Sequence, residues 1–142
     1  GIGGGIAEGL KKTQFKGRFE IVGKNPTVIV DGAHNFSGIV ALKTALETYF
    51  SDKRIIIVMG MLRDKEYEKG VELIASVADI FIATQPENPR ALPADDFAKI
   101  AKRYNKNVFA EANRQSAVDL AKKYAGKDDI ICVCGSLYLI GV

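Results

Sequence analysis

The stretch Thr-Val-Ile-Val-Asp-Gly-Ala-His-Asn, residues 27–35, decides how this chain folds. Its first four residues are apolar or β-branched, which is typical of a buried strand. From Phe36 to Phe50, apolar residues recur at helical spacing, so a strand passes into a helix here. In an open α/β sheet, ligands bind outside the carboxyl ends of the strands. We therefore expect chemistry at the turn that holds Asp31 and His34, the single histidine of the chain.

The rest of the chain repeats this alternation of strand and helix. Apolar runs predict strands at 54–59, 80–83, 107–110 and 129–133, and helical spacing predicts helices at 67–78, 93–104 and 113–124. The nearly continuous apolar run 54–59 is typical of a parallel strand that is buried on both faces. Alternating elements of this length predict a parallel sheet with helices on both faces, which is a Rossmann-like three-layer α/β sandwich.

One further strand is predicted at residues 18–22, ahead of the first buried strand. Only residues 23–26 separate the two strands, too few for a parallel crossover, so they should pair as an antiparallel hairpin. The predicted sheet therefore has five parallel strands and one antiparallel strand near the N-terminus. We expect one domain over residues 1–142, in which 1–5 is a flexible end or a cloning remnant. Additional helices are expected at 6–12 and from Leu137 onward.

The composition is that of an ordinary globular protein. The 142 residues are 47% hydrophobic and 26% charged, and no apolar run approaches the roughly 20 residues of a membrane helix. The net charge of +3 comes from scattered basic pairs, which do not predict a nucleic-acid surface. Cys132 and Cys134 alternate on one apolar strand, so we expect two buried thiols and a cytoplasmic protein. We see no secretory leader, and no cysteine and histidine set for a metal.

Several residues of the first turn could carry chemistry. Asp31 could accept hydrogen bonds from a ribose hydroxyl pair, or it could cap the turn by binding its own downstream amides. His34 could contact an anion or move a proton near neutral pH, or it could be a surface histidine near a helix start. Asn35 or Ser37 can cap the following helix, whose first free amides favour an anion.

Two other turns follow strands at the same predicted edge. Gly135-Ser136-Leu137-Tyr138 comes after the last strand, and Ser136 could be a helix cap or could bind a carboxylate or phosphate. The turn at 60–65 contains Arg63, Asp64 and Lys65, and it could be a charged surface turn only. The chain contains no Walker motif, so a phosphate cradle and a magnesium site would have to lie elsewhere.

Together these motifs resemble the C-terminal domain of folylpolyglutamate synthase, often bifunctional as dihydrofolate synthase, in the Mur ligase superfamily. The resemblance covers Ile6 to the C-terminus, and its motifs are Gly17-Arg18-Phe19-Glu20, Asp31-Gly32-Ala33-His34-Asn35, Asp64-Lys65 and Gly135-Ser136-Leu137-Tyr138. Peptidoglycan Mur ligases typically carry tyrosine where Gly32 stands, which favours the folate branch. Phe36 departs from the family, which often has proline there.

The resemblance implies an ATP-dependent ligase of folate metabolism. ATP would phosphorylate the terminal carboxylate of folate, and the amino group of L-glutamate would attack the acyl phosphate. Arg18 and Asp31 would bind ATP. His34, as the catalytic residue, would face the reacting phosphate and, with Ser136 and Tyr138, place the glutamate. The P-loop, the Mg²⁺ ligands and most of the folate site would belong to an N-terminal ATPase domain, and this domain alone would be inactive.

Two alternatives remain open at this point. Within the superfamily, the chain could belong to another amino-acid ligase, of the peptidoglycan or cyanophycin type. Outside it, a stand-alone module that binds a nucleotide or an amino acid would suit the same sheet edge, because a fold does not fix a function. The expected partners are folate, L-glutamate and the ATPase domain, without nucleic acid or membrane.

Overall fold

The computed structural model describes residues 19–63 and 67–137. The strands are β1 (Glu20–Gly23), β2 (Thr27–Asp31), β3 (Ile55–Gly60), β4 (Ile80–Ala83), β5 (Val108–Ala110) and β6 (Ile130–Gly135). The helices are α1 (Phe36–Tyr49), α2 (Glu68–Val77), α3 (Ala94–Ala101) and α4 (Arg114–Tyr124). The helices expected at 6–12 and beyond Leu137 lie outside the described residues.

The strands form one mixed sheet in the order β1-β2-β6-β3-β4-β5. β1 pairs with β2 in an antiparallel hairpin, and all other neighbours are parallel. The predicted fold class is therefore confirmed, including the single antiparallel strand near the N-terminus. The last strand, β6, lies between β2 and β3 and pairs with both, so the centre of the sheet forms from distant parts of the chain.

Alternation along the strands divides the core between the two faces of the sheet. In β3, Ile57 faces a cluster that contains the buried residues of α1, α2 and α3, whereas Val58 faces a second cluster with α4. β6 alternates in the same way, and both of its thiols, Cys132 and Cys134, are buried in the first cluster. The continuous apolar character of these strands thus follows from helices on both faces. Among the described residues, no helix has the length and apolar content to cross a membrane.

Local signals explain where the helices begin and end. The Oδ1 atom of Asn35 accepts a hydrogen bond from the Gly38 amide at 2.8 Å, so Asn35, not Ser37, caps α1. Asn113 caps α4 in the same way. The predicted helix at 93–104 ends earlier, at Ala101. β6 continues to Gly135, beyond the predicted end at 133, because pairing with β3 extends to its last residue.

Gly60 and Gly135 form the closest backbone approach at the end of the central strands. Gly135 has φ +87°, a left-handed conformation that favours glycine, and a Cβ atom there would collide with the Gly60 carbonyl oxygen. That same oxygen accepts a hydrogen bond from the Ser136 amide at 2.8 Å. The approach of β3 and β6 therefore sets the position of the turn that follows β6.

The Gly135→Ala substitution is expected to destabilise the fold by about 2 kcal/mol or more, because alanine at this position is strained and meets backbone. Equilibrium unfolding in urea measures the change. Gly126→Ala is the matched control, since the nearest atom to its Cβ is a side-chain oxygen 3.6 Å away, and should change stability by no more than about 0.5 kcal/mol. Equal effects of the two substitutions would contradict this account of Gly135.

Candidate functional site

The carboxyl ends of three adjacent strands meet at one edge of the sheet. In the parallel registers, Cys134 of β6 lies beside Asp31 of β2 on one side and beside Met59 of β3 on the other. Asp31 and Ser136, distant in sequence, therefore end neighbouring strands. This edge is where an open α/β sheet binds its ligands, because the strand ends and the following turns converge there.

Asp31 is buried at this edge and shapes the turn that follows it. Its Oδ1 atom accepts a hydrogen bond from the Ala33 amide at 2.8 Å, which is the turn-capping role considered from the sequence. Burial raises the pKa of Asp31 to about 6, and the hydrogen bond from Ala33 opposes this shift. The bond from Ala33 uses only Oδ1, so the carboxylate can cap the turn and still offer Oδ2 to a ligand.

His34 is half-buried and held by the same turn. Its Nδ1 atom lies 3.1 Å from the Gly32 carbonyl oxygen. A carbonyl can only accept, so this hydrogen bond places the proton on Nδ1 and leaves Nε2 as the acceptor in the neutral ring. Asn35 then starts α1, whose first turn carries no acidic residue to compete with an anion. The turn therefore presents an imidazole beside a helix N-terminus.

Ser136 lies in the turn that follows β6 and is almost fully buried, with 1% of its surface exposed. Among the described residues, its Oγ atom has no hydrogen-bond partner. A buried hydroxyl without a hydrogen bond lowers the stability of the fold, so packing does not account for a serine at this position. The next residue, Leu137, packs on Gly60, where an added Cβ would lie 2.7 Å from its Cδ2 atom. A carboxylate or phosphate oxygen would satisfy this hydroxyl.

The thiols behind this edge are unsuited to nucleophilic chemistry. A hydrogen bond with the Cys132 thiol, together with burial, raises the pKa of the Cys134 thiol well above its usual range. A thiol that stays protonated is a weak nucleophile. Of the described groups at this edge, the carboxylate, the imidazole and the hydroxyl are the reactive candidates.

A cleft borders the edge on the side of α4. It has a volume of about 710 Å³, and its walls are the loop of residues 85–88, the N-terminus of α4 and Val133 of β6. The Arg114 guanidinium lies in this wall and binds both the Leu137 carbonyl and the Glu87 carboxylate. No sequence motif pointed to Arg114, although a cation at the first position of a helix is an unusual choice that could have signalled a special role.

A second, smaller hollow lies on the other face of the sheet. It has a volume of about 350 Å³ and is lined mostly by apolar side chains, among them Phe19 and Leu42, with Asp31 in its wall. The turn of residues 31–34 thus separates an apolar surface from the polar turns of the edge.

The structure brings three of the five predicted site residues, Asp31, His34 and Ser136, to one edge. The other two, Arg18 and Tyr138, lie outside the described residues, as do Asp64 and Lys65. Within the described ranges, no three histidine, cysteine or acidic side chains are grouped so that they could hold a metal ion.

The fold defined by this sheet and its helices is a Rossmann-like α/β domain. Residues 17–137 match the family of the Mur ligase, glutamate ligase domain, and the chain belongs to this family. The resemblance proposed from the motifs is therefore confirmed at the level of the family.

Several of the similar proteins are folylpolyglutamate synthases. The chain is 33% identical to a folylpolyglutamate synthase of Lacticaseibacillus casei, over 94% of this chain and 30% of that protein. It is 29% identical to the dihydrofolate synthase/folylpolyglutamate synthase of Bacillus subtilis, over 95% of this chain and 31% of that protein. The structure of E. coli FolC in complex with DHPP and ADP superimposes with a TM-score of 0.80 at 29% identity, covering 89% of this chain and 30% of that one. The chain thus spans about a third of these relatives.

The Asp31→Asn substitution is expected to stabilise the protein at neutral pH. Because burial raises the pKa of Asp31 to about 6, the folded protein binds this proton more tightly than the unfolded chain. The resulting stability is present below the usual pKa of 3.8 and is lost as the pH rises through 6. Asparagine stays neutral and still accepts the Ala33 hydrogen bond, so the variant should gain up to about 3 kcal/mol at pH 7 to 8.

Urea unfolding across the range from about pH 4 to pH 8 measures this difference, which should shrink toward zero at the acidic end. Asp52→Asn, in an exposed turn, is the matched control and should show no comparable gain. A wild-type and Asp31→Asn pair with the same stability at every pH would contradict the burial argument.

Proposed function

We propose that this chain is the ATP- and glutamate-contacting domain of a folylpolyglutamate synthase, a ligase that adds L-glutamate to folate. The observation that carries the proposal is the convergence of Asp31, His34 and Ser136 at one strand edge of a glutamate ligase domain. These residues belong to two of the motifs that carry the resemblance, at 31–35 and 135–138. The relatives from Bacillus subtilis and Lacticaseibacillus casei are folylpolyglutamate synthases, which supports the folate branch.

The nucleotide side of the proposed site is formed by Asp31 together with Arg18. The buried carboxylate offers an acceptor for a ribose hydroxyl, which is how acidic residues at strand ends of such sheets bind nucleotides. Its chemistry therefore fits ATP, and the ADP in the related E. coli FolC structure supports a nucleotide ligand. Arg18 would supply the positive charge for the phosphates.

The amino-acid side is formed by His34, Ser136 and Tyr138. The Ser136 hydroxyl, without a partner among the described residues, would donate to the glutamate carboxylate. The Nε2 atom of His34 is left as an acceptor by the bond from Nδ1 to Gly32, so it can receive a proton from the ammonium group of the incoming glutamate. As an imidazolium, the same ring would stabilise charge on the reacting phosphate.

The proposed reaction forms an amide through an acyl phosphate. The terminal carboxylate of folate takes the γ-phosphoryl group of ATP and releases ADP. The glutamate nitrogen, after losing its proton, attacks the acyl carbon and expels inorganic phosphate. The contribution of this domain is mainly positional, because holding an amine against an acyl phosphate removes much of the entropic barrier.

The site is completed by a second domain. We place the P-loop, the Mg²⁺ ligands and most of the folate site on an N-terminal ATPase domain, since the sequence contains no Walker motif. Closure of the two domains would bring the nucleotide and the amino acid together and exclude water. In this proposal, residues 1–142 form a single cytoplasmic domain of one-carbon metabolism that is inactive by itself.

The Asp31→Ala and His34→Ala variants of a full-length ligase containing this domain should lose activity in different ways. Loss of the carboxylate should raise the KM for ATP about 10-fold or more, because it removes a hydrogen bond to a charged group. Loss of the imidazole should lower kcat about 100-fold or more, which is the usual contribution of a general base. Both are measured by ADP release that depends on folate and L-glutamate.

Asp52→Ala, in an exposed turn, is the control and should keep wild-type kinetics. Circular dichroism checks that each variant is folded. Wild-type rates in both test variants would mean that the turn at 31–34 is structural only. A wild-type enzyme that releases ADP with another amino acid and not with L-glutamate would favour a different Mur-type ligase.

A further inference from the structure

The Arg114 guanidinium connects two loops that lie far apart in sequence. Its Nη1 atom donates to the Leu137 carbonyl at 3.1 Å, and its Nη2 atom donates to Glu87 Oε1 at 3.3 Å. Leu137 directly follows Ser136, and Glu87 belongs to the loop after β4. A single side chain thus joins the N-terminus of α4 to the turn at Ser136 and to the wall of the 710 Å³ cleft.

The bond to the Leu137 carbonyl is the more important of the two contacts. The side chain of Glu87 is 83% exposed, and an ion pair in water contributes little to stability. The Arg114 side chain is only 31% exposed, and its bond to a backbone carbonyl requires no ordering of a second flexible side chain. The ion pair therefore serves to orient the guanidinium, and the carbonyl bond restrains the turn.

The position of Arg114 does not serve the helix on which it stands. It is the first residue of α4, where the helix dipole disfavours a positive charge. The cap of this helix is already provided by Asn113. A residue that is unfavourable for its own helix is explained by what it contacts elsewhere, which is the Ser136 turn.

The turn at Ser136 has few other anchors among the described residues. The Ser136 amide binds the Gly60 carbonyl, and the Leu137 side chain packs on Gly60. Within residues 19–63 and 67–137 the hydroxyl itself accepts and donates no hydrogen bond, so its direction depends on the backbone that carries it. Arg114 supplies the restraint on the carbonyl side of this backbone.

We propose that Arg114 is a positioning residue, which aims the Ser136 hydroxyl at the incoming amino acid by fixing the Leu137 carbonyl. This inference rests on the proposed function of the Ser136 turn. Lysine cannot replace arginine fully, because its single ammonium group lacks the planar fork that binds two acceptors in fixed directions.

The test compares Arg114→Ala and Arg114→Lys with the wild type in the full-length ligase. Arg114→Ala should raise the KM for L-glutamate about 10-fold, the usual effect of losing a charge-assisted hydrogen bond, and leave the KM for ATP within about 2-fold. Arg114→Lys should have a KM for L-glutamate between that of the wild type and that of Arg114→Ala. Millimolar guanidinium ion should restore part of the lost affinity in Arg114→Ala, whereas sodium at the same concentration should not.

Arg103→Ala is the matched control, because Arg103 also pairs with an exposed carboxylate, that of Glu68, and among the described residues its guanidinium makes no hydrogen bond to the Ser136 turn. It should leave both KM values unchanged. Hydrogen exchange gives a readout independent of activity: the Ser136 amide, bound to Gly60, should exchange about 10-fold faster in Arg114→Ala than in Arg103→Ala.

An unchanged KM for L-glutamate in Arg114→Ala, or equal rises in both KM values, would overturn the positioning role. Unchanged exchange of the Ser136 amide would overturn the proposed restraint itself. If the wild-type enzyme shows no glutamate-dependent ADP release, the proposed function fails, and the exchange result still decides whether Arg114 holds the turn.

Discussion

The structure depends above all on the insertion of β6 between β2 and β3. This strand comes last in the described chain but pairs on both sides, and its residues belong to both core clusters. Such pairing closes long loops, so its entropic cost is high and is offset only when both neighbouring strands are in place. The candidate site is a direct consequence, because the pairing of β6 brings Ser136 to the edge where Asp31 ends β2.

The polar groups at this edge are exceptions to the rule that protein interiors are apolar and that buried polar groups are hydrogen-bonded. Asp31 has a raised pKa because of burial, and Ser136 has a buried hydroxyl without a partner among the described residues. Both features cost stability, and such violations of local rules are expected where a protein binds or reacts. The central strands offset this loss of stability, because they bury apolar side chains on both faces of the sheet.

Much of this arrangement could be predicted from the sequence, and the exceptions have physical reasons. The hairpin, the parallel strands and the Asn113 cap follow from loop length, apolar periodicity and side-chain chemistry, and the structure confirms them. The end of α3 at Ala101 and the extension of β6 to Gly135 did not follow, because neighbouring elements decide where hydrogen bonding stops. Arg114 was missed because its partners, Glu87 and Leu137, lie in loops that only the folded chain brings together.

By itself, the sequence determined the class of fold, the turn at residues 31–35 and the family, since periodicity and short motifs are local properties. The tertiary structure alone decided that Asp31 is buried deeply enough to raise its pKa, and that the Ser136 hydroxyl has no partner among the described residues. It also decided that Arg114 reaches the Leu137 carbonyl. The physical reason is that burial and long-range hydrogen bonds depend on which surfaces meet, and local patterns carry no information about that.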